Sequence, residues 1–289
     1  MRAKSFARRD AARAAAAQVR HDAFARIAQY SGIRIAALGT LASAPTPAAR
    51  MDDGSSPRRG RAVCNRCRRP SASDCLCSAL PPSPQTLCGS ILVLQHPAER
   101  QRTLATVPLL QLCLDGVSVS RGRTFPLGRC AQLDAVLDAA LRGEKPCFVL
   151  WTGSEAHDFA EAVADVRRGG ELGAYSLVLL DGTWTSCAEM GRLLLARLPT
   201  RAPFVRLVRF PAGLGNDASL LLFTEPAPGC MCTAEAVARA LSVLEPEGEA
   251  IRDTVLRPLR RLVELQRQRD VVGKGVKGAP IDSPSSCFP

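Results

Sequence analysis

Aromatic residues make up only 4% of this 289-residue chain, and histidine occurs three times. A core built from it must be filled mainly by Ala, Leu and Val rather than by rings. No apolar run approaches the ~20 residues that span a bilayer, so no membrane-spanning helix is expected. No G-x-G-x-x-G follows an expected strand, and no P-loop motif occurs, so neither a Rossmann dinucleotide site nor a P-loop is supported. No secretory apolar segment stands at the N-terminus. The twelve cysteines therefore read as reduced thiols, some of them metal ligands, rather than as disulfides. Acids are scarce early on: Asp10 and Asp22 are the only ones before Asp52. The formal charge is +11, which bears on partners rather than on fold. Nucleic acid is the leading inference, ahead of an acidic membrane surface.

What is present is organised around Ser176-Leu-Val-Leu-Leu-Asp181-Gly182-Thr183-Trp184. An unbroken apolar run reads as a strand buried on both faces, as in a parallel sheet. It stops at Asp181, and Gly182 permits a sharp turn. From Ser186 to Leu198 the spacing of Met190, Leu193, Leu194 and Leu198 is helical. Asp181, Thr183 and Trp184 thus fall at the carboxyl end of a central strand, where open α/β sheets place their ligands. The alternative is a helix-capping Asp181 and a core Trp184.

Residues 1–60 are rich in Ala and Arg, with a helix expected over 7–30 and a Pro/Gly/Ser linker after it. Two readings stand for this segment, an organellar transit peptide and a disordered basic tail. The absence of Ser enrichment weighs against the first. Next come Cys64, Cys67, Cys75 and Cys77, spaced C-x2-C-x7-C-x-C. Four thiolates this close can close a tetrahedral zinc site, and so short a segment has no core of its own to fold on. Unligated thiols are the alternative. Cys88, Cys113, Cys130, Cys147 and Cys187 sit singly among apolar residues and read as small core hydrophobes.

Strands are expected at Ser90 to Gln95, Val117 to Ser120, Cys147 to Trp151, Pro203 to Phe210 and Ser219 to Phe223. His96 to Glu99 reads as a loop, because a proline disfavours helix before it. Helices are expected from Leu104 to Leu114, Cys130 to Arg142, Glu155 to Arg168, Thr233 to Leu244 and about Glu249 to Arg269. The alternation implies an α/β domain with a mainly parallel sheet and helices on both faces. The expected organisation is a basic segment over 1–60, a Cys-rich zinc segment over 61–86, a catalytic domain over 87–270 and a disordered tail over 271–289. Three loops of small or polar residues follow strands: Thr152-Gly153-Ser154, Asp181-Gly182-Thr183 and Pro226 to Thr233. At one sheet edge they would frame a pocket for a nucleotide-like ligand.

Asp181-Gly182-Thr183-Trp184 resembles the D-x-T-W signature of the DTW-domain family, the tRNA-uridine aminocarboxypropyltransferases. His96-Pro97-Ala98-Glu99 with Arg102 and Thr106, then Gly122-Arg123, then Gly153-Ser-Glu155, then Pro226 and Cys232-Thr233-Ala-Glu235, are similar to its other blocks in the same order. The cysteine quartet also fits, and Leu256-Arg257-Pro258-Leu259 looks like a eukaryotic branch. The resemblance covers about residues 64–268.

The resemblance implies a SPOUT-like core with a trefoil knot. It also implies S-adenosyl-L-methionine as the source of a 3-amino-3-carboxypropyl group, and N3 of a tRNA uridine as its acceptor. Carried onto this chain, it makes Asp181, Thr183 and Trp184 catalytic, with Asp181 as the candidate base. Thr152, Gly153, Glu155, Gly182, Pro226, Cys232 and Thr233 become cofactor-binding. His96, Glu99, Arg102 and Arg123 face RNA. Phe223 stands where the family usually has Arg, Cys232 where it has Ser, and Thr152 where a proline is common. Arg102 or Arg123 would then have to supply the missing cation. Arg257, Arg260, Arg261, Arg267 and Arg269 could follow a phosphate backbone or form a solvated helix face. Uridine N3 lies on the pairing edge, so the target must be unpaired. The rival readings are a non-catalytic zinc-containing RNA-binding protein and a SPOUT-type RNA methyltransferase. The expected compartment is cytoplasmic or nuclear, or mitochondrion or plastid if the basic segment is a targeting signal. Oligomeric state is not legible.

Overall fold

The computed structural model describes residues 62–71, 73–102, 104–170, 172–198, 204–211, 220 and 231–273. The helix expected over 7–30, the strand expected at 219–223 apart from Leu220, Phe223, Pro226 and the tail from 274 lie outside them. So does the chain path from 221 to 230, on which a trefoil knot depends.

Six parallel strands form one sheet: β1 (Ser90–Gln95), β2 (Val117–Arg121), β3 (Cys147–Leu150), β4 (His157–Asp158), β5 (Ser176–Asp181) and β6 (Val205–Arg209). Their order is β2-β1-β5-β3-β6-β4, so the strand ending in Asp181 lies inside the sheet, between β1 and β3. The strands read as continuous apolar runs because both faces are covered. Ile91, Val93, Leu177 and Leu179 face one layer, made of α1 (Val107–Cys113), α3 (Phe159–Arg168), α5 (Thr233–Leu244) and α6 (Gly248–Gly273). Leu92, Leu94 and Val178 face the other, made of α2 (Ala131–Leu141) and α4 (Trp184–Leu195). Among the described residues no helix is long and apolar enough to cross a membrane.

Element existence follows the apolar pattern, while the starts follow local caps. His96 to Glu99 is not a plain loop: a 3-10 turn spans Pro97–Gln101, with His96 as its N-cap. α1 begins at Val107 rather than Leu104, with a proline in its first turn, where a missing N–H costs nothing. α3 begins four residues later than expected because Asp158, not Glu155, accepts from the Glu161 amide. α4 begins at Trp184 because Thr183 caps it, accepting from the Ser186 amide. Cys113, Cys130 and Cys147 are buried as expected, but Cys88 is exposed. It precedes β1, and its amide donates to the Glu245 carboxylate at 3.0 Å. The buried Glu245 also accepts from the Tyr175 hydroxyl at 2.5 Å, tying the end of α5 to the entry of β5.

The loop after β3 is anchored to α4. Trp151 is buried, its indole N–H donates to Glu155 Oε1 at 2.7 Å, and its ring occupies the space a Cβ on Gly191 would need. Alanine normally improves a helix interior over glycine by ~1 kcal/mol. Here the overlap with a pinned ring reverses the sign. Gly191→Ala should lose about 1–3 kcal/mol of stability, seen as a lower urea midpoint at unchanged slope. A midpoint at or above wild type would contradict this packing.

Candidate active site

The last residues of β2, β1 and β5 stand side by side in register: Arg121 opposite Gln95, and Gln95 opposite Asp181. Their side chains form one hydrogen-bonded line. Arg121 Nε donates to Gln95 Oε1 at 2.9 Å, and Gln95 Nε2 donates to Asp181 Oδ2 at 2.9 Å. Asp181 Oδ1 accepts from Thr233 Oγ1 at 2.5 Å. Asp181 and Gln95 are both buried. A carboxylate out of water must be hydrogen-bonded on its oxygens to be tolerated. This one is held from two sides, by a strand neighbour and by the first residue of α5. Two of the three expected loops, those at Asp181 and Thr233, are therefore in direct contact. The third, after β3, leaves the same edge because β3 is parallel to β5.

The backbone tightens this edge. The His96 amide donates to the Asp181 carbonyl at 2.7 Å, and the Gly122 amide to the Gln95 carbonyl at 3.0 Å. Gly182 leaves little room: a Cβ there would lie 3.2 Å from His96 Cβ and 3.4 Å from Cys187 Sγ. His96 Nδ1 accepts from the Ala98 amide at 3.3 Å. Thr183 is exposed and caps α4, donating to Ser186 Oγ at 2.8 Å. Trp184 is half-buried in the first turn of α4 and is not a core residue. Cys232 precedes α5, and burial pushes its thiol up to about 12. Cys187 is pushed up to about 12 by burial, with the charges of Asp181 and Glu99 adding. Glu155 is turned back onto Trp151, Thr152 and Arg123 are exposed, and Pro226 lies outside the described residues.

Glu99 is buried in the 3-10 turn. Its Oε2 pairs with Arg102 at 3.3 Å, while its buried Oε1 has no hydrogen-bond partner. Burial raises this carboxyl above the ordinary range, Arg102 opposes the rise, and the nearby Asp181 charge adds to it. Gln95 and Arg121 escaped the sequence reading because a strand register is invisible in one sequence. The available signal was a polar residue closing an otherwise apolar strand.

Cys64, Cys67, Cys75 and Cys77 bring their sulfurs within 4.8 Å of one another. The Cys64–Cys77 and Cys67–Cys75 separations are 3.4 and 3.9 Å. Tetrahedral zinc with sulfur at ~2.3 Å requires edges of about 3.8 Å, so the quartet fits that metal. Arg68, at φ 57°, turns the Cys64–Cys67 knuckle. The Cys67 and Arg66 amides lower the Cys64 thiol to about 6, while the bond to Cys64 pushes the Cys77 thiol up to about 12. Cys67, Leu76 and Leu80 join the core that includes α6, and Arg269 of α6 pairs with the buried Asp74.

A family model described as DTW domain matches residues 61–267. The chain belongs to the DTW-domain family. It is 33% identical over 211 residues to mouse "tRNA-uridine aminocarboxypropyltransferase 2", covering 72% of this chain and 64% of the mouse protein. To the Drosophila melanogaster protein of that name it is 32% identical over 219 residues, covering 75% and 79%. To Arabidopsis thaliana "tRNA-uridine aminocarboxypropyltransferase A" it is 29% identical over 231 residues, covering 75% and 85%. The matched region thus spans just under two thirds of the mouse relative's length. No solved structure matches. The DTW match takes in both the cysteine quartet and the Asp181 edge.

Purified protein should carry one zinc equivalent per chain by elemental analysis. Cys75→Ser, or a strong chelator, should remove it and lower the thermal midpoint. A metal-free protein of unchanged midpoint would contradict the site.

Proposed function

We propose that this protein transfers the 3-amino-3-carboxypropyl group of S-adenosyl-L-methionine to N3 of a uridine in tRNA, with a structural zinc at the cysteine quartet. The supporting observation is the DTW match over 61–267, since the relatives it aligns with are named tRNA-uridine aminocarboxypropyltransferases; the donor and the N3 acceptor are our reading of that chemistry. The Asp181 edge fits a cationic donor: two buried carboxylates lie close together there, and one of their oxygens has no partner. When bound, the donor supplies a carbon already activated by positive sulfur. The chain's own contribution is therefore orientation and proton removal.

Asp181, held on both oxygens, fixes the turn before α4 and the start of α5 relative to each other. In this reading Thr233, Cys232 and the loop from Thr152 to Glu155 border the donor. Trp184, half-buried at the head of α4, offers a face on which an unpaired base can stack. Arg121 is tied to Gln95, and Arg102 to Glu99. The exposed Arg123 is therefore the better candidate for the cation expected in place of the family Arg.

A groove of about 1100 Å³ lies between the cysteine segment and α6, bordered by Ala79, by Arg257, Arg260 and Arg267, and by the acids Asp253 and Glu264. It shares no lining residue with the Asp181 edge, so we assign it to the RNA backbone rather than to the donor. Arg269 is spent on Asp74, and Arg261 pairs with Glu264 at 2.7 Å. Arg257 and Arg260, exposed on α6, are the cations best placed for phosphate.

Incubation with S-adenosyl-L-methionine and unmodified tRNA, followed by nucleoside mass spectrometry, should show an aminocarboxypropyl adduct on uridine. A methyl adduct, or none, would overturn the reading. In filter binding across a salt series, replacing Arg257 and Arg260 with Ala should lower the slope of log K against log salt by roughly 0.7–0.9 for each lost contact. An unchanged slope would remove the groove from the interface.

A further inference from the structure

We propose that Glu99 Oε1, rather than Asp181, accepts the proton from uridine N3, and that Asp181 is a positioning residue. This rests on the transfer reading above and assigns a step within it.

The hydrogen-bond inventory separates the two acids. Each Asp181 oxygen already accepts a short bond, from Gln95 at 2.9 Å and from Thr233 at 2.5 Å. A proton on either oxygen would weaken the bonds by which Asp181 holds β5 to β1 and to α5, although each oxygen keeps a second lone pair. Glu99 has one oxygen engaged by Arg102 and one with no partner, although it is buried. An unpartnered buried carboxylate oxygen is costly and needs an explanation. A substrate N–H supplies one when binding brings the Glu99 side chain to the strand edge, since this oxygen is sealed from solvent in the free protein. Glu99 is also placed for this role. It lies in the turn whose cap, His96, donates its amide to the Asp181 carbonyl; it feels the Asp181 charge, and its own charge acts on Cys187.

The chemistry balances. The N3–H proton passes to Glu99 Oε1 as the N3 electron pair forms a bond to the terminal carbon of the aminocarboxypropyl chain. The bond from that carbon to sulfur breaks, and its electron pair stays on sulfur, leaving a neutral nucleoside thioether. Glu99 then releases the proton to water. A base works best when its proton affinity approaches the working pH, and burial moves Glu99 in that direction. The ionisable groups around it are Arg102 and His96 from its own turn, Asp181 from β5 and Cys187 from α4. Of these, burial pushes the Cys187 thiol up to about 12, far above the window in question.

The test uses the full chain in two measurements. In carbon-13 carboxyl NMR of the cofactor-free protein, the Glu99 signal, assigned by its loss in Glu99→Gln, should titrate above the ordinary Glu range. In single-turnover transfer to tRNA, the wild-type rate should climb with pH as Glu99 loses its proton and then level off. Measured at saturating donor and tRNA, Glu99→Gln should be about 10²–10⁴-fold slower and lack that acid limb. Glu99→Asp should regain part of the rate. Titration at or below the ordinary range, an acid limb that survives in Glu99→Gln, or a loss fully accounted for by weaker binding would each overturn the assignment. No adduct from the wild type would overturn the functional reading, whereas an adduct formed equally fast by Glu99→Gln would overturn only the base.

Discussion

The structure depends on a carboxylate buried where three parallel strands end. Asp181 closes the apolar run of β5 and has too little access to water to be solvated, so its oxygens must be met by protein donors. Leaving such a charge unmet would cost several kcal/mol. Meeting it from Gln95 on one side and Thr233 on the other commits the chain to a single arrangement. β1 must pair with β5 in a register that places Gln95 opposite Asp181, and α5 must begin within reach of the same group. Arg121 extends the line to β2. The constraint that satisfies one buried charge therefore also assembles the edge at which chemistry is proposed.

That edge is supported from both faces of the sheet. On one, Trp151 locks the loop after β3 against α4, using the absence of a side chain at Gly191. On the other, α5 and α6 pack together beneath the sheet, and the cysteine segment packs onto the same core. The pairing of Arg269 with Asp74 fixes the segment to α6 a second time. A metal at the quartet would thus hold one wall of the basic groove without touching the reaction edge. Donor binding and contact with the RNA backbone are thus proposed for separate parts of the fold.

Much of this was legible in the sequence. Unbroken apolar runs such as Leu177 to Leu180 can only be strands covered on both faces, so the parallel α/β class and most elements follow from pattern alone. The cysteine spacing pointed to a four-sulfur cluster. Helix starts were less legible, because they depend on which side chain reaches back to an amide. Asp158 and Thr183 do so, and that moves two helices from their expected starts. The Asp181 turn was placed correctly at a strand end, but its partners were not foreseen. Gln95 and Arg121 are distant in sequence and meet Asp181 only through strand register. The burial of Glu99 is equally invisible, because a charged residue enclosed by a short turn leaves no trace in local pattern.

The proposed donor site is the carboxyl ends of β1, β3 and β5, against the Asp181–Thr233 tie. A crystal structure of the protein with S-adenosyl-L-methionine tests it most directly. Ligand density should be bordered by Glu99, Asp181 and Thr233, with the Gln95–Asp181–Thr233 hydrogen bonds intact. Density at the α6 groove, or anywhere away from that strand edge, would contradict it.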